Sequence, residues 1–195
     1  IVAGTLRIGN TGATGSVQGN ITNNGALVFY RSDDYTVANS ISGSGSLTTL
    51  HAGTKPFPGN ISLNGAITST DGRLLLNGTV SNGAAGFDVT TSGSGAIGGT
   101  GTIQGTTVIA SGGSLFPGAF NTHGTLNVSD VLFSSGSSLG LNLNGPGTND
   151  RLNVTGSVTI NSNVSIFAIE APTATGTITI INNDGTDAII GTFNG

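Results

Sequence analysis

Cysteine is absent from this 195-residue chain, and so are methionine and tryptophan. Without thiols there is no disulfide framework, no thiolate zinc site and no cysteine nucleophile, and the chain suits unfolded passage through an oxidising compartment. Charge is nearly as scarce, at 7% of residues against roughly 25% in an ordinary soluble domain. Lys occurs once, at Lys55, and Glu once, at Glu170, so the residues that fill exposed helix faces are missing and almost no helix is expected. Five basic residues against nine acidic ones give a net charge of −4. That leaves no electrostatic footprint for a phosphate backbone or an anionic lipid, and nucleic acid is not an expected partner. No apolar run approaches the roughly 18 residues of a membrane-spanning helix, so direct membrane insertion is not expected either. No charged segment followed by an apolar one opens the chain at Ile1, and the sequence enters in mid-pattern, which reads as a fragment of something longer.

What is present is glycine, 34 residues of it, among β-branched residues, Ser and Asn: the vocabulary of turns and strands. There is no Gly-X-Y period with abundant Pro, which excludes a collagen helix. Gly followed by a small residue and an aliphatic one recurs at Gly4, Gly25, Gly45, Gly72, Gly95, Gly113 and Gly124, spaced by 21, 20, 27, 23, 18 and 11 residues. Only Arg73 interrupts the small-residue rule. A drifting period near 20 falls in the solenoid range, where a coil buries its apolar face only by stacking on its neighbours. A shorter apolar-polar segment precedes many of these units, as in Gly19-Asn-Ile-Thr, Asn39-Ser-Ile-Ser and Gly59-Asn-Ile-Ser, so each coil carries more than one strand. The expected fold is all-β, a single-stranded parallel β-helix (solenoid) of about nine or ten coils over residues 1–195, roughly 45 Å long. Corners at Asn23–Gly25, Ser42–Gly45 and Ser92–Gly95 call for residues that tolerate positive φ. Asn, Ser and Thr stacked at those corners would satisfy neighbouring amides, whereas like charges stacked about 4.8 Å apart would repel, which accounts for the missing charge.

From Gly112 onward the chain carries Pro117-Gly118, Gly124-Thr-Leu126 and Asp150-Arg-Leu-Asn-Val-Thr-Gly156. These resemble the passenger-associated repeat of type V autotransporters. The following Gly176–Phe193 stretch is similar to the end of such passengers, and the upstream Gly/Asn/Ser-rich part to their repetitive bulk. The chain departs from the pattern at His123 and at Val128–Val131. The resemblance implies a right-handed coil, with 1–111 as repetitive coils and 112–195 as the C-terminal repeat region. It also implies export across the outer membrane, an extracellular or cell-surface location, and a role as an elongated stalk or adhesin. Implied partners are a C-terminal membrane β-barrel of the same polypeptide and a host-cell, matrix or carbohydrate surface.

Candidate chemistry is sparse. Gly136-Ser-Ser138-Leu-Gly140 matches a nucleophile elbow and Gly93–Gly98 a dinucleotide fingerprint, but both need a helix that this composition does not supply. His51 and His123 have no second His or Cys at ligand spacing, and Asp184–Asp187 lacks the donors of a calcium loop, so no metal and no cofactor are expected. Asp150 and Arg151 read as a hydrogen bond or ion pair at a loop corner. Asn-x-Ser/Thr triplets such as Asn20, Asn60, Asn77 and Asn127 follow from composition. The most polar cluster, Tyr30, Arg31, Asp33, Asp34 and Tyr35, is the candidate partner contact. It is also where a carbohydrate-cleaving β-helix would place its acid and base. Asp33 and Asp34 are adjacent, however, and on a strand point to opposite faces, and the sequence offers no second cluster with Lys. The expectation is therefore no enzyme, with a polysaccharide lyase or hydrolase and a folding or export aid as alternatives.

Overall fold

The computed structural model describes residues 1–81, 88–145, 147–170 and 176–194. Every regular element among them is a strand, and every pairing between strands is parallel. The strands fall on three faces that the chain visits in turn. Face one holds Ile21–Thr22, Ile41–Gly43, Ile61–Leu63, Thr79–Ser81, Arg151–Val154 and Ile181–Asn183. Face two holds Thr5–Ile8, Ala26–Tyr30, Ser46–Leu50, Ile67–Ser69, Asp88–Thr91, Val158–Ile160 and Ile189–Ile190. Two long strands, Thr102–Ile109 and Thr125–Phe133, run through both faces and weld them into one 15-stranded sheet. Face three is a separate six-stranded sheet of Thr54–Phe57, Arg73–Leu76, Ala96–Gly99, Ser114–Pro117, Ser138–Asn142 and Ser165–Glu170.

Inward residues stack on their counterparts one coil away. Leu27, Leu47, Ile67 and Val89 line face two, and Ile21, Ile41, Ile61 and Val80 line face one. All are buried, and alternation carries their neighbours outward. Burying each Leu, Ile or Val contributes about 1.5–3 kcal/mol, and no coil gains it alone.

The tower has about six turns that carry all three faces, fewer than the nine or ten expected from the repeat. Two physical reasons account for the difference. Successive face-two partners lie 20 residues apart at Leu27, Leu47 and Ile67, but 24 apart at Thr107 and Val131, 27 at Val131 and Val158, and 31 at Val158 and Ile189. The later coils thus spend residues on loops. The glycine series also mixes corners: Gly4, Gly25 and Gly45 precede face two, Gly72, Gly95 and Gly113 precede face three, and Gly124 precedes face one. The anomalous spacings of 27 and 11 mark the changes of face.

Positive φ was expected at the corners, and at Gly43 and Gly93 it occurs. At Gly45 the cause is different. It has no positive φ, yet a Cβ there would overlap the Gly25 carbonyl oxygen of the preceding coil. Corner amides are satisfied between coils as expected: Asn24 Oδ1 accepts from the Ser44 amide (3.0 Å), Asn60 Oδ1 from Thr79 (3.0 Å) and Asn77 Oδ1 from Thr100 (3.1 Å).

Candidate functional site

Tyr30 ends its face-two strand, and the chain then turns Arg31 back under the corner, where the residue is 5% exposed. Its guanidinium pairs with Asp33 (Nη2 to Oδ2 2.7 Å, Nε to Oδ1 3.0 Å), donates to the Ala13 carbonyl (2.6 Å) and to the Gly15 carbonyl, and lies 4.0 Å over the Tyr35 ring. Asp34 turns the other way, its carboxylate accepting the Thr54 amide at 2.6 Å. Tyr30 joins a different group, with its ring 5.7 Å from His51 and under Arg7. Three of the five residues therefore meet, and two do not.

No second cluster with Lys was expected from the sequence, and the single Lys joins this one. Lys55, 1% exposed, donates to the Asp33 carbonyl at 2.8 Å and to Ala52 at 3.2 Å. A signal for it existed: Lys55 and Phe57 share one face of a strand, and Phe57 is core. Burial pushes the Lys55 ammonium below its ordinary range, while the bond from Arg31 holds the Asp33 carboxyl low. With both cations turned inward, the cluster braces the first corner, and its carboxylates do not converge on a shared opening.

The motifs that suggested a family meet at one buried carboxylate. Asp150, 0% exposed, accepts the Gly124 amide (2.9 Å), the Asn142 amide (2.8 Å) and the Asn142 side chain (2.9 Å). Gly118 passes so close that a Cβ would sit 2.7 Å from Asp150 Oδ1. Burial raises the Asp150 carboxyl above its usual range. Leu152 and Val154 enter the core, and Asn153 bridges Asn127 (2.9 Å) and Asn182 (3.4 Å) in an amide ladder. Gly156 leaves room for Asp130, which caps the Ser157 amide at 2.8 Å. The hydrogen bond expected of Asp150 is present. Arg151 is exposed, and among the described residues the recorded ion pair is Arg31 with Asp33 instead.

Ser138 starts a strand and exchanges a hydrogen bond with Ser114 (2.8 Å), and Gly98 lies within one. Neither sits at a strand-to-helix turn. His51 takes φ 77°, its Nδ1 accepting the Ala52 amide. Sequence reasoning also missed a depression of about 410 Å³ on the outside of face three, lined by Ala52, Asp71, Arg73, Ser94, Ala96 and Phe116 among others. Arg73 and Ala96 are register partners, as are Ala96 and Ser114, so finding the depression required knowing which coils are adjacent.

No family model matches the chain. A stretch of 48 residues, 25% of the chain, is 60% identical to "Adhesin BmaC autotransporter" of Brucella suis biovar 1 (strain 1330), and it spans about 1% of that protein's length.

Proposed function

We propose that this chain is a length of autotransporter passenger carried at the outer-membrane surface, and that its solenoid serves as the stalk and contact surface of an adhesin without a catalytic step. One coincidence carries this reading: a parallel β-solenoid in a chain that shares a 60% identical stretch with an autotransporter adhesin. The coil is right-handed, as parallel crossovers are in about 98% of cases. Residues 1–195 form one segment, with 112–195 toward a C-terminal barrel of the same polypeptide, and host-cell, matrix or carbohydrate surfaces are the partners. Within residues 30–35 the contact falls to Tyr30 and the exposed Asp34, because Arg31 is spent internally.

Beads coated with the purified chain test the proposal on epithelial monolayers and matrix-coated wells. Adherence above that of beads carrying an inert protein is expected, unchanged in His51→Ala, His123→Ala and Ser138→Ala. Equal adherence of coated and control beads, or release of fragments from a polysaccharide panel, would overturn it.

A further inference from the structure

The outer side of face three carries a hollow where charged, hydroxyl and small side chains of adjacent coils meet. Its middle coil presents Ala96 and Gly98, whose register partners are Arg73 and Leu75 on one side and Ser114 and Phe116 on the other. Ala96, small beside Arg73, floors the 410 Å³ depression, and the corner adds Asp71 and Ser94 to its wall. Ser94 Oγ donates to Asp71 Oδ1 at 2.9 Å. The Arg73 guanidinium stacks 3.8 Å over Phe120, which in turn packs edge-on against Phe116 at 5.6 Å. Among the described residues, Asp71 and Arg73 form no ion pair with each other, although both line the same hollow. A carboxylate and a guanidinium are thus both left with hydrogen-bonding capacity beside hydroxyls and an aromatic ring.

We propose that this depression binds a neutral oligosaccharide. The inference rests on the adhesin reading and names the chemistry of one contact within it. The volume falls in the range of about 300–1,000 Å³ typical of small-ligand sites, whereas a stable protein partner needs about 800 Å² from each side. One charge of each sign gives no net attraction for a polyanion, and the interrupted apolar floor, without a basic cluster, does not suit a lipid surface. Phe116, 7% exposed and held edge-on between Phe120 and Phe167, offers a sugar only a rim contact, so the hydroxyls carry the recognition. These hydroxyls donate to Asp71 and accept from Arg73, which Phe120 positions. The hollow crosses several coils, each about 4.8 Å from the next, so it runs along the tower axis and suits a short chain of sugars more than a single one.

The test titrates the chain with neutral tetrasaccharides (chito-, cello-, malto- and lacto-series), a heparin tetrasaccharide, a mixed-charge peptide and phosphatidylcholine vesicles, read by calorimetry and by NMR shifts of the Phe116 and Phe120 rings. Saturable binding of at least one neutral tetrasaccharide is expected, with ring shifts and a loss of about tenfold or more in Arg73→Met and in Asp71→Asn. Arg31→Met, which alters the distant brace, should keep the affinity wherever thermal unfolding shows it folded. Absence of neutral binding, binding untouched by both variants, or binding only of heparin, peptide or vesicles would overturn the proposal. Cell adherence measured in parallel separates the two readings: an adherent chain that binds no tetrasaccharide refutes this site alone.

Discussion

At the scale of single residues, two carboxyl groups, Asp150 buried and Asp33 partly exposed, pull in opposite directions with pH. Burial raises Asp150, so its charge is a cost to the folded chain at neutral pH that falls away as the pH drops through the raised value toward the ordinary 3.8. Arg31 lowers Asp33, whose contribution is complete above 3.8 and is lost as the pH falls through the lowered value. Asp33 therefore contributes to acid unfolding, as does Asp184, whose carboxyl the Thr186 hydrogen bonds hold low, and denaturant titrations across pH 2–5 should show a shallower loss of stability in Asp33→Asn. Asp150→Ala strands two backbone amides and one side-chain amide. It should cost about 2–5 kcal/mol in denaturant melts, since each unmet buried group costs about 1–3 kcal/mol. Thr49 runs the other way: its hydroxyl points into the tube at 2% exposure with no hydrogen-bond partner. Thr49→Val keeps the shape and removes the orphan, so calorimetry should show a gain of about 1 kcal/mol.

At the scale of the coil, glycine marks close backbone approach as much as unusual φ. Gly45→Ala should lose about 1–3 kcal/mol, as forced overpacking does, because the coils must part at the Gly25 carbonyl. Gly12, with open space around it, is the control and should tolerate Ala. Unfolding midpoints of the two variants check this. The same distinction decides what was legible beforehand. Alternation in Ala26–Tyr30 and Thr125–Phe133, and the recurrence of Gly25 and Gly45, are local patterns that report a parallel stack directly. The number of turns was not legible, because Gly45 and Gly72 look alike in sequence while serving different corners. The brace at Arg31 was visible only as a cluster of polar letters. Lys55 joins it from the next coil, 22 residues beyond Asp33, and nothing local announces a partner at that distance. Asp150 was legible as a corner residue, but its convergence with Gly118 and Gly124 depends on a loop whose path the sequence leaves open.

At the scale of the whole molecule, each coil touches only its neighbours, so stability varies along the tower. The last face-three strand, Ser165–Glu170, is half-open, and Ile189 and Ile190 are 50% and 59% exposed, whereas Leu47, Ile67 and Ile97 are sealed. Hydrogen exchange should therefore be slowest in the face-two strands from Ser46 to Thr91 and fastest in the strands Ser165–Glu170 and Ile189–Ile190. Uniform protection along the tower would contradict nearest-neighbour stacking.

The corner amides that tie one coil to the next have a consequence for the environments this rod can stand in. Neutral dipoles in contact ignore the ion atmosphere that screens separated charges within about 10 Å at 0.1 M salt. Asn24, Asn60 and Asn77 should hold as firmly in brine as in dilute rainwater. A filament fastened in this way keeps its length and stiffness when salinity swings, and a melting temperature unchanged between low-salt buffer and 1 M sodium chloride is how that indifference would be seen.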